Sequence, residues 1–180
     1  MDRMADAVAA GKVRHVGVSN FSAAQMRRAH EALARRGVAL ASNQVHYSLF
    51  ARAPERNGVR KACRELGVTL IAYSPLALGA LTDKYSPDRP PPPGLRRHLP
   101  FFRRIGRAMP VVEALRSIGA KHGGTPAQVA LQWLAREEDV LPIPGARNAA
   151  QARENAGALR VTLDDENLAL LDRVSREWEG

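Results

Sequence analysis

Apolar residues recur along the chain with two different spacings. Short runs rich in valine, leucine and isoleucine are bounded by glycine or polar residues. Between them lie longer stretches with apolar residues three or four positions apart. The short runs are typical of buried parallel strands, and the longer stretches are typical of amphipathic helices. The pattern predicts strands over residues 13–18, 40–44, 68–73 and 140–145.

Helices are predicted between and after these strands. Ser22 followed by Gln25, and Thr125 followed by Gln128, match the capping box that opens a helix. Several predicted helices are followed by glycine, which is typical of a helix end. The predicted helices cover residues 1–10, 22–36, about 55–66, 110–122, a stretch that starts at 125, about 148–159 and a last stretch after 162. Alternating strands and helices predict an α/β fold with a parallel sheet.

A long stretch from Ser74 to about Arg107 interrupts this alternation. Its proline run, Pro90 to Pro93, is expected to be extended. Arginines flank two phenylalanines in the same stretch, at Arg96, Arg97, Phe101, Phe102, Arg103 and Arg104. A connection this long is functional or disordered, and both a solvated variable loop and a working lid remain open for this Pro/Arg-rich segment at about 85–107.

Length and composition are those of one globular domain. The chain has 180 residues, of which 45% are hydrophobic and 25% charged. Its apolar runs are shorter than the ~18 residues that span a bilayer, and we expect neither a membrane partner nor a signal peptide. The single cysteine, Cys63, is expected to be a small core residue, which fits a reducing cytoplasm.

The formal net charge of +9 raises the question of nucleic-acid binding. The arginines are scattered over most predicted helices rather than gathered in one basic stripe. Aromatic residues, which stack on bases in nucleic-acid sites, make up only 5% of the chain. We therefore expect no nucleic-acid partner. The excess positive charge can still help to hold a polyanionic ligand.

Four parallel strands leave two open sheet edges. Eight strand–helix units close a barrel in which every strand has two neighbours, so four units are half of that number. The first strand follows only about a dozen residues, and these are predicted to be the helix that follows an upstream strand. Residues 1–180 are therefore expected to form a single partial domain. A missing N-terminal half and self-association through the open edges are both candidate partners.

Polar and aromatic residues stand at the predicted carboxyl ends of the strands. Ser19 and Asn20 end the first strand, Gln44 the second and Tyr73 the third. Amide groups pair with the donor and the acceptor of a carboxamide, and a tyrosine ring stacks on a planar ligand. The glycine turn at Gly145 precedes a predicted helix and suits a phosphate. Together these positions predict a site for a planar ligand with a carboxamide and a phosphate.

Four segments that carry these residues resemble the C-terminal half of the aldo-keto reductase family. They are GKVRHVGVSNFS, NQVHYSLF, IAYSPLALGALTDKY and IPGARNAAQARENAGAL, and they occur here in the family's order. The resemblance covers nearly the whole chain and looks closest to the branch with the potassium-channel β subunits. It implies half of a TIM (β/α)8 barrel, NADP as cofactor and reduction of an aldehyde or ketone.

The resemblance also implies a role for individual residues. Ser19, Asn20 and Gln44 would hold the nicotinamide carboxamide, and Tyr73 would stack on the ring. A clamp over the pyrophosphate would consist of Ser74, Pro75, Leu76, Ala77 and Gly79, with Lys84 near its end. The 2′-phosphate side would meet Gly145, Arg147 and Gln151, and the adenine would meet Glu154 and Asn155. Many relatives have Lys-Ser where this chain has Gly145-Ala146, so a preference for NADPH over NADH would depend on Arg147, Gln151 and Lys84.

The family's proton-donating residues have no counterpart in this chain. The resemblance implies that a tyrosine acid, assisted by Lys, Asp and His, lies on the first four barrel strands. None of Tyr47, Tyr73 and Tyr85 matches that position, and the five histidines lack metal-ligand spacing. We therefore expect no catalytic residue, no metal site and no ordinary reductase activity in the isolated chain. The alternative is a non-catalytic half-barrel that binds a nucleotide or a partner.

Overall fold

Four short strands pair side by side in chain order, and every pair is parallel. The computed structural model describes residues 1–92, 102 and 105–179, and we call these the described residues. The strands are β1 (Val16–Ser19), β2 (Leu40–His46), β3 (Thr69–Tyr73) and β4 (Val140–Pro142). The predicted α/β class, with four parallel strands and flanking helices, is confirmed. Only the strand ends differ from the prediction, by up to three residues.

Eight helices lie within the described residues, and most begin where the sequence predicts. They are α1 (Asp2–Ala9), α2 (Ala23–Ala34), α3 (Ala53–Arg56), α4 (Val59–Leu66), α5 (Ile105–Lys121), α6 (Pro126–Ala135), α7 (Ala149–Ala156) and α8 (Asp165–Glu179). Two 3₁₀ segments cover Ala77–Thr82 and Gly157–Arg160. Both predicted capping boxes are confirmed, at Ser22 with Gln25 and at Thr125 with Gln128.

One predicted helix, over about 55–66, is wrong in detail because two short helices occupy the region. Gly58 has a φ of +80°, a left-handed conformation that ends α3 and starts α4. The Asn57 side chain then accepts a hydrogen bond from the backbone N–H of Val59 at 3.1 Å. Pro54, expected in a loop, lies in the first turn of α3, where a missing N–H costs nothing.

The long stretch after β3 contains more regular structure than the sequence predicts. It forms the 3₁₀ segment Ala77–Thr82, and α5 begins at Ile105 rather than at Pro110, which lies inside the helix. Buried Phe102 packs edge-on against Tyr85, with ring centroids 5.5 Å apart. The rest of the predicted extended and arginine-rich segment, at 93–101, 103 and 104, lies outside the described residues.

The chain divides into two compact units. The first comprises Met1–Tyr47, Ala51–Tyr73 and Glu137–Ile143, and it contains the whole sheet with α1 to α4. The second comprises Ser48–Phe50, Ser74–Arg136 and Pro144–Gly180. Within the second unit α5 packs on both α6 and α8, and α6 packs on α7.

One face of the sheet in the first unit packs against helices. Burial alternates along β3, where Leu70 and Ala72 are buried and their neighbours are half-buried. This alternation is the signature of a strand with one covered face. Helix α4 packs on β3 and buries Cys63, whose pKa burial raises to about 11. The expectation that this cysteine is a core residue is confirmed.

A buried asparagine joins the end of β1 to the sheet. The Asn43 side chain is fully buried in β2. Its Nδ2 donates to the Phe21 backbone oxygen at 3.0 Å, and its Oδ1 accepts from the Phe21 backbone N–H at 3.3 Å. One amide side chain therefore satisfies both backbone groups of the residue that leads from β1 into α2.

Ion pairs join α4 to the segment that enters β4. The Glu137 carboxylate forms an ion pair with Arg60 at 2.7 Å and accepts a hydrogen bond from Arg64 at 2.6 Å, and Arg64 also pairs with Asp139 at 3.2 Å. Arg60 and Glu137 are largely buried, so this pair is screened less by solvent than a surface pair. The cluster fixes β4 beside β3 from the helix side of the sheet.

No helix within the described residues is long and apolar enough to cross a membrane.

Replacing Asn43 with alanine tests the connection between β1 and α2. Asn43→Ala leaves the Phe21 N–H and C=O without their side-chain partner and opens a small void in the core. We expect the free energy of unfolding to fall by about 2–4 kcal/mol in urea denaturation. Glu31→Ala, at an exposed position on α2, is the control and should change it by less than about 0.5 kcal/mol. Equal effects of the two substitutions would contradict this role of Asn43.

Candidate functional site

Four predicted site residues of the first unit lie together at the carboxyl ends of β1, β2 and β3. Ser19 pairs with Gln44 in the parallel ladder, and the Ser19 hydroxyl donates to the Gln44 backbone oxygen at 3.0 Å. The Asn20 backbone N–H donates to the same oxygen at 2.9 Å. The Tyr73 hydroxyl donates to Asn20 Oδ1 at 3.3 Å. The polar groups therefore form one connected cluster at the carboxyl ends of these three strands.

His46, one of the five histidines without metal-ligand spacing, packs on the tyrosine of this cluster. His46 pairs with Tyr73 across β2 and β3, and their rings are nearly parallel at 8°, with centroids 5.2 Å apart. Desolvation by its neighbours lowers the pKa of the imidazole. The signal was present in the sequence, because His46 lies two residues after Gln44 and so faces the same side of the sheet.

The backbone of several predicted site residues is strained. Five non-glycine residues within the described part of the chain have a positive φ: Asn20, Ser74, Ala77, Leu78 and Asp83. The first three belong to the predicted cofactor-binding set. For residues other than asparagine and aspartate, this conformation costs about 1–3 kcal/mol of free energy, and such strain is typical of binding loops.

The predicted clamp in the second unit is a tight loop that precedes and enters the 3₁₀ segment. The Ala77 N–H donates to the Ser74 oxygen and the Gly79 N–H donates to the Leu76 oxygen, each at 2.9 Å. Gly79 has a φ of +96°, which only glycine adopts without cost. These turns expose Leu78 and bury Ala77. The clamp is therefore shaped by successive short-range backbone bonds.

An ion pair anchors the end of this loop to α5. The Arg116 guanidinium donates to both carboxylate oxygens of Asp83, at 2.5 and 3.1 Å. This bond holds the pKa of the Asp83 carboxyl below its usual value. The neighbouring Lys84 is exposed, and its ammonium lies 5.6 Å from the centroid of the Tyr85 ring. The backbone that carries Lys84 is therefore anchored through the preceding residue, Asp83.

The predicted phosphate and adenine residues lie on the loop before α7 and on α7 itself. Gln151 Oε1 accepts from the Arg147 backbone N–H at 2.7 Å, and the Gln151 N–H donates to Asn148 Oδ1 at 2.9 Å. Asn155 Nδ2 donates to the Gly145 oxygen at 3.4 Å. Gln151 and Asn155 thus fold the loop back on the helix, and the Arg147 side chain stays exposed. The backbone N–H groups of this helix start and the arginine suit an anion.

Gln128 connects α6 to α7, a role that its capping-box position did not reveal. Its Oε1 accepts from the Thr125 N–H at 2.9 Å, and its Nε2 donates to the Glu154 backbone oxygen at 2.9 Å. Gly157 leaves room for this amide, since a Cβ there would stand 2.3 Å from Gln128 Nε2. The Gln128 side chain therefore links α6 to the helix that carries Glu154 and Asn155.

A second tyrosine of the first unit, Tyr47, is engaged with a carboxylate. Tyr47 is buried, and its hydroxyl donates to Glu55 at 2.8 Å. Burial and the Glu55 carboxylate raise the pKa of the Tyr47 phenol well above its usual value. Among the described residues no three His, Cys, Asp or Glu side chains are placed to hold a metal ion. The arrangement can bind a planar polar ligand and an anion.

Comparison with known proteins identifies the same family over nearly the whole chain. The model of the Aldo/keto reductase family matches residues 1–176. The chain is 38% identical over 182 residues to an aldo-keto reductase of Strobilurus tenacellus. It is 40% identical over 168 residues to the chloroplastic pyridoxal reductase of Arabidopsis thaliana.

A solved structure shows the same relationship. A thermostable aldo-keto reductase in complex with the inhibitor epalrestat matches 96% of this chain with a TM-score of 0.74 and 31% identity. The present chain covers 53% of that protein. It also covers 53% of the fungal relative and 45% of the plant relative. The chain therefore spans about half the length of the relatives it matches.

Two glycines test the connection made by Gln128. Gly157→Ala forces Gln128 away from the Glu154 oxygen, so we expect the free energy of unfolding to fall by about 1–3 kcal/mol. Gly145→Ala is the matched control, because nothing lies within 4 Å of its added Cβ and its φ is not positive. It should be neutral or slightly stabilising. Thermal and urea unfolding measure both, and a harmless Gly157→Ala would show that the Gln128 contact is dispensable.

Proposed function

The chain belongs to the aldo/keto reductase family, and on that premise we propose that it binds NADPH as the cofactor-holding part of a carbonyl reductase. The nucleotide, when bound, supplies the hydride that reduces an aldehyde or ketone. The residues of this chain bind and orient it. Each unit contributes its own set of groups, and the two sets differ in the part of the nucleotide that they suit.

The first unit suits the nicotinamide end. Asn20 Oδ1 accepts the hydrogen bond from the Tyr73 hydroxyl. The Nδ2 of the same amide can then donate to a carboxamide oxygen. The side chain of Gln44, half-buried beside Ser19, offers both a donor and an acceptor to the same group. The Tyr73 ring stands next to these amides as a stacking surface. The chemistry of this donor set fits a planar carboxamide ring.

The second unit suits the phosphate and adenine end. The clamp loop from Ser74 to Gly79 is held by its own backbone turns, and we assign it to the pyrophosphate. Arg147 is exposed beside the start of α7 and is the group we assign to the 2′-phosphate, with Gln151 and Lys84 as further contributors. Glu154 and Asn155 are assigned to the adenine, next to the Gln128 bond that holds them.

The observation that carries the proposal is the position of the strained backbone. Asn20, Ser74 and Ala77 are ligand residues predicted from sequence, and each has a positive φ, which costs free energy at Ser74 and Ala77. Strain of this kind persists only where the surrounding structure enforces it, and it clusters where a ligand must be approached closely. It therefore supports a binding role for the clamp loop, Ser74 to Gly79, independently of the sequence motifs.

We also propose that the isolated chain does not reduce carbonyl compounds. Tyr47 is buried and its pKa is raised, and Tyr73 is engaged with Asn20 and His46. A tyrosine acid works when a neighbouring cation lowers its pKa, and the pKa of Tyr47 is shifted in the opposite direction. The same observation favours a second candidate, a non-catalytic domain that binds the nucleotide or a protein partner.

The partners of the complete activity follow from this proposal. The substrate class is a small carbonyl compound. The two edge strands of the sheet within the described residues, β1 and β4, would be covered by a further barrel half or by a second copy of the chain. We propose neither a nucleic-acid nor a membrane partner. A cytoplasmic location is part of the proposal and is consistent with a single, buried cysteine.

Arg147 should decide the preference between the two nicotinamide nucleotides. Arg147→Ala should weaken NADPH binding about tenfold, because one charge-assisted contact to the 2′-phosphate is lost, and should leave NADH binding nearly unchanged. Calorimetric titration measures both affinities. Arg153→Ala, which removes an exposed arginine from α7 itself, is the matched control and should have a small effect on both nucleotides. A wild-type chain that binds neither nucleotide would refute the proposal.

Turnover is expected to be absent even where the nucleotide binds. The purified 180-residue chain, saturated with NADPH and offered a panel of aldehydes and ketones, should oxidise NADPH no faster than a buffer blank. Absorbance at the nicotinamide band measures this. Tyr47→Phe is the internal check, because any residual rate that it abolishes would identify an acid that the structure argues against. Robust turnover by the wild-type chain would favour the catalytic reading over the binding-only alternative.

A further inference from the structure

His46 covers one face of the Tyr73 ring, which the proposed function assigns to stacking on the nicotinamide. His46 and Tyr73 are direct neighbours on adjacent parallel strands, so their side chains leave the same face of the sheet. Parallel planes with centroids 5.2 Å apart describe an offset stack. Asn20 holds the Tyr73 hydroxyl at the ring's far end. The tyrosine ring is therefore fixed by two side chains, and its face away from the imidazole is the stacking surface for a ligand.

The imidazole lies in neutral surroundings. His46 and Asn20 also line a cavity of about 280 Å³, to which α2, α3, α4 and their connections contribute Gln25, Ala53, Pro54, Asn57 and Val59. None of these side chains is ionisable, and His46 is the titratable group of the cavity lining.

Two ion pairs engage charged side chains next to and on α3 and α4. Arg52 pairs with Glu55, and Arg60 with Glu137. Desolvation lowers the pKa of His46, which favours the neutral imidazole.

We propose that His46 is a positioning residue which, acting through Tyr73, sets the relative affinity of the site for oxidised and reduced nicotinamide. The proposal rests on the proposed nucleotide-binding function. An oxidised nicotinamide ring is a cation, and it is attracted to the negative face of the tyrosine ring. A protonated His46 is attracted to the opposite face of the same tyrosine ring, so the two cations compete for its π electrons. The reduced ring carries no charge and does not take part in this competition.

The direction of the pH dependence follows from this geometry. Above the pKa of His46 the neutral imidazole only supports the tyrosine ring, and both nucleotides bind without competition. As the pH falls through that pKa, binding of NADP⁺ weakens and binding of NADPH changes less. Thermodynamic linkage requires the reverse effect as well. The factor by which protonation of His46 weakens NADP⁺ binding is also the factor by which bound NADP⁺ weakens proton binding, so the pKa of His46 falls.

Titrations with both nucleotides test the proposal. Calorimetry from pH 8 to pH 5.5 gives the ratio of the Kd for NADP⁺ to the Kd for NADPH, in which protonation of the shared 2′-phosphate cancels. We expect this ratio to rise about two- to fivefold toward acid pH in the wild-type chain. In His46→Phe, which keeps an aromatic ring without a charge, the ratio should stay flat. His15→Phe, at an exposed histidine before β1, is the matched control and should follow the wild type.

A second measurement needs no variant. Histidine resonances of the wild-type chain, followed by NMR, should show the His46 pKa lowered by about 0.3 to 0.7 when NADP⁺ binds, and little changed when NADPH binds. Nucleotide binding with a ratio that does not depend on pH, or with the same dependence in His46→Phe, would overturn the proposal and leave the proposed function intact. Absence of binding by either nucleotide at every pH would remove the proposed function, and this inference with it.

Discussion

The register of the parallel ladder is the constraint on which the first unit depends. Because side chains alternate between the two faces of a strand, the pairing of Ser19 with Gln44 and of His46 with Tyr73 places the polar cluster on one face. A slip of one residue in β2 would turn Gln44 and His46 toward the helices and bring Asn43 out of the core. The same slip would break the bonds that Asn43 makes to Phe21. Stability of the sheet and geometry of the candidate site therefore have one cause.

Two kinds of polar interaction hold this register in place. Near the carboxyl ends of the strands, amide and hydroxyl groups bond backbone atoms of the neighbouring strand or of the residues that follow it. Ahead of β4, the arginines of α4 bind the Glu137 and Asp139 carboxylates. Removing one partner from a half-buried group of this kind leaves the other unsatisfied. The sheet is thus positioned by specific polar contacts, in addition to the apolar packing of its covered face.

Much of the fold could be predicted because its signals are local. The β-branched runs, the capping boxes at Ser22 and Thr125, and the terminal glycines act within a few residues of one another. The missed features depend on contacts distant in sequence or on unusual backbone angles. No local pattern shows that Asn43 bonds Phe21, that His46 stacks on Tyr73 or that Gln128 reaches Glu154. The break between α3 and α4 depends on the left-handed conformation of Gly58, an unusual backbone angle that the pattern of apolar residues does not indicate.

Helix α7 is unusual because none of its residues, Ala149 to Ala156, is buried. A helix of two turns gains little from its own hydrogen bonds, and this one has no apolar face to pack. Its order rests on its ends, on the Gln128 bond and on four alanines, which have the highest intrinsic helix propensity. A ligand that binds only the helical form of this segment has its binding free energy reduced by the conformational entropy that is lost when the segment becomes ordered. Affinity there can consequently evolve through exposed positions that never contact the ligand, simply by altering how often the segment is helical.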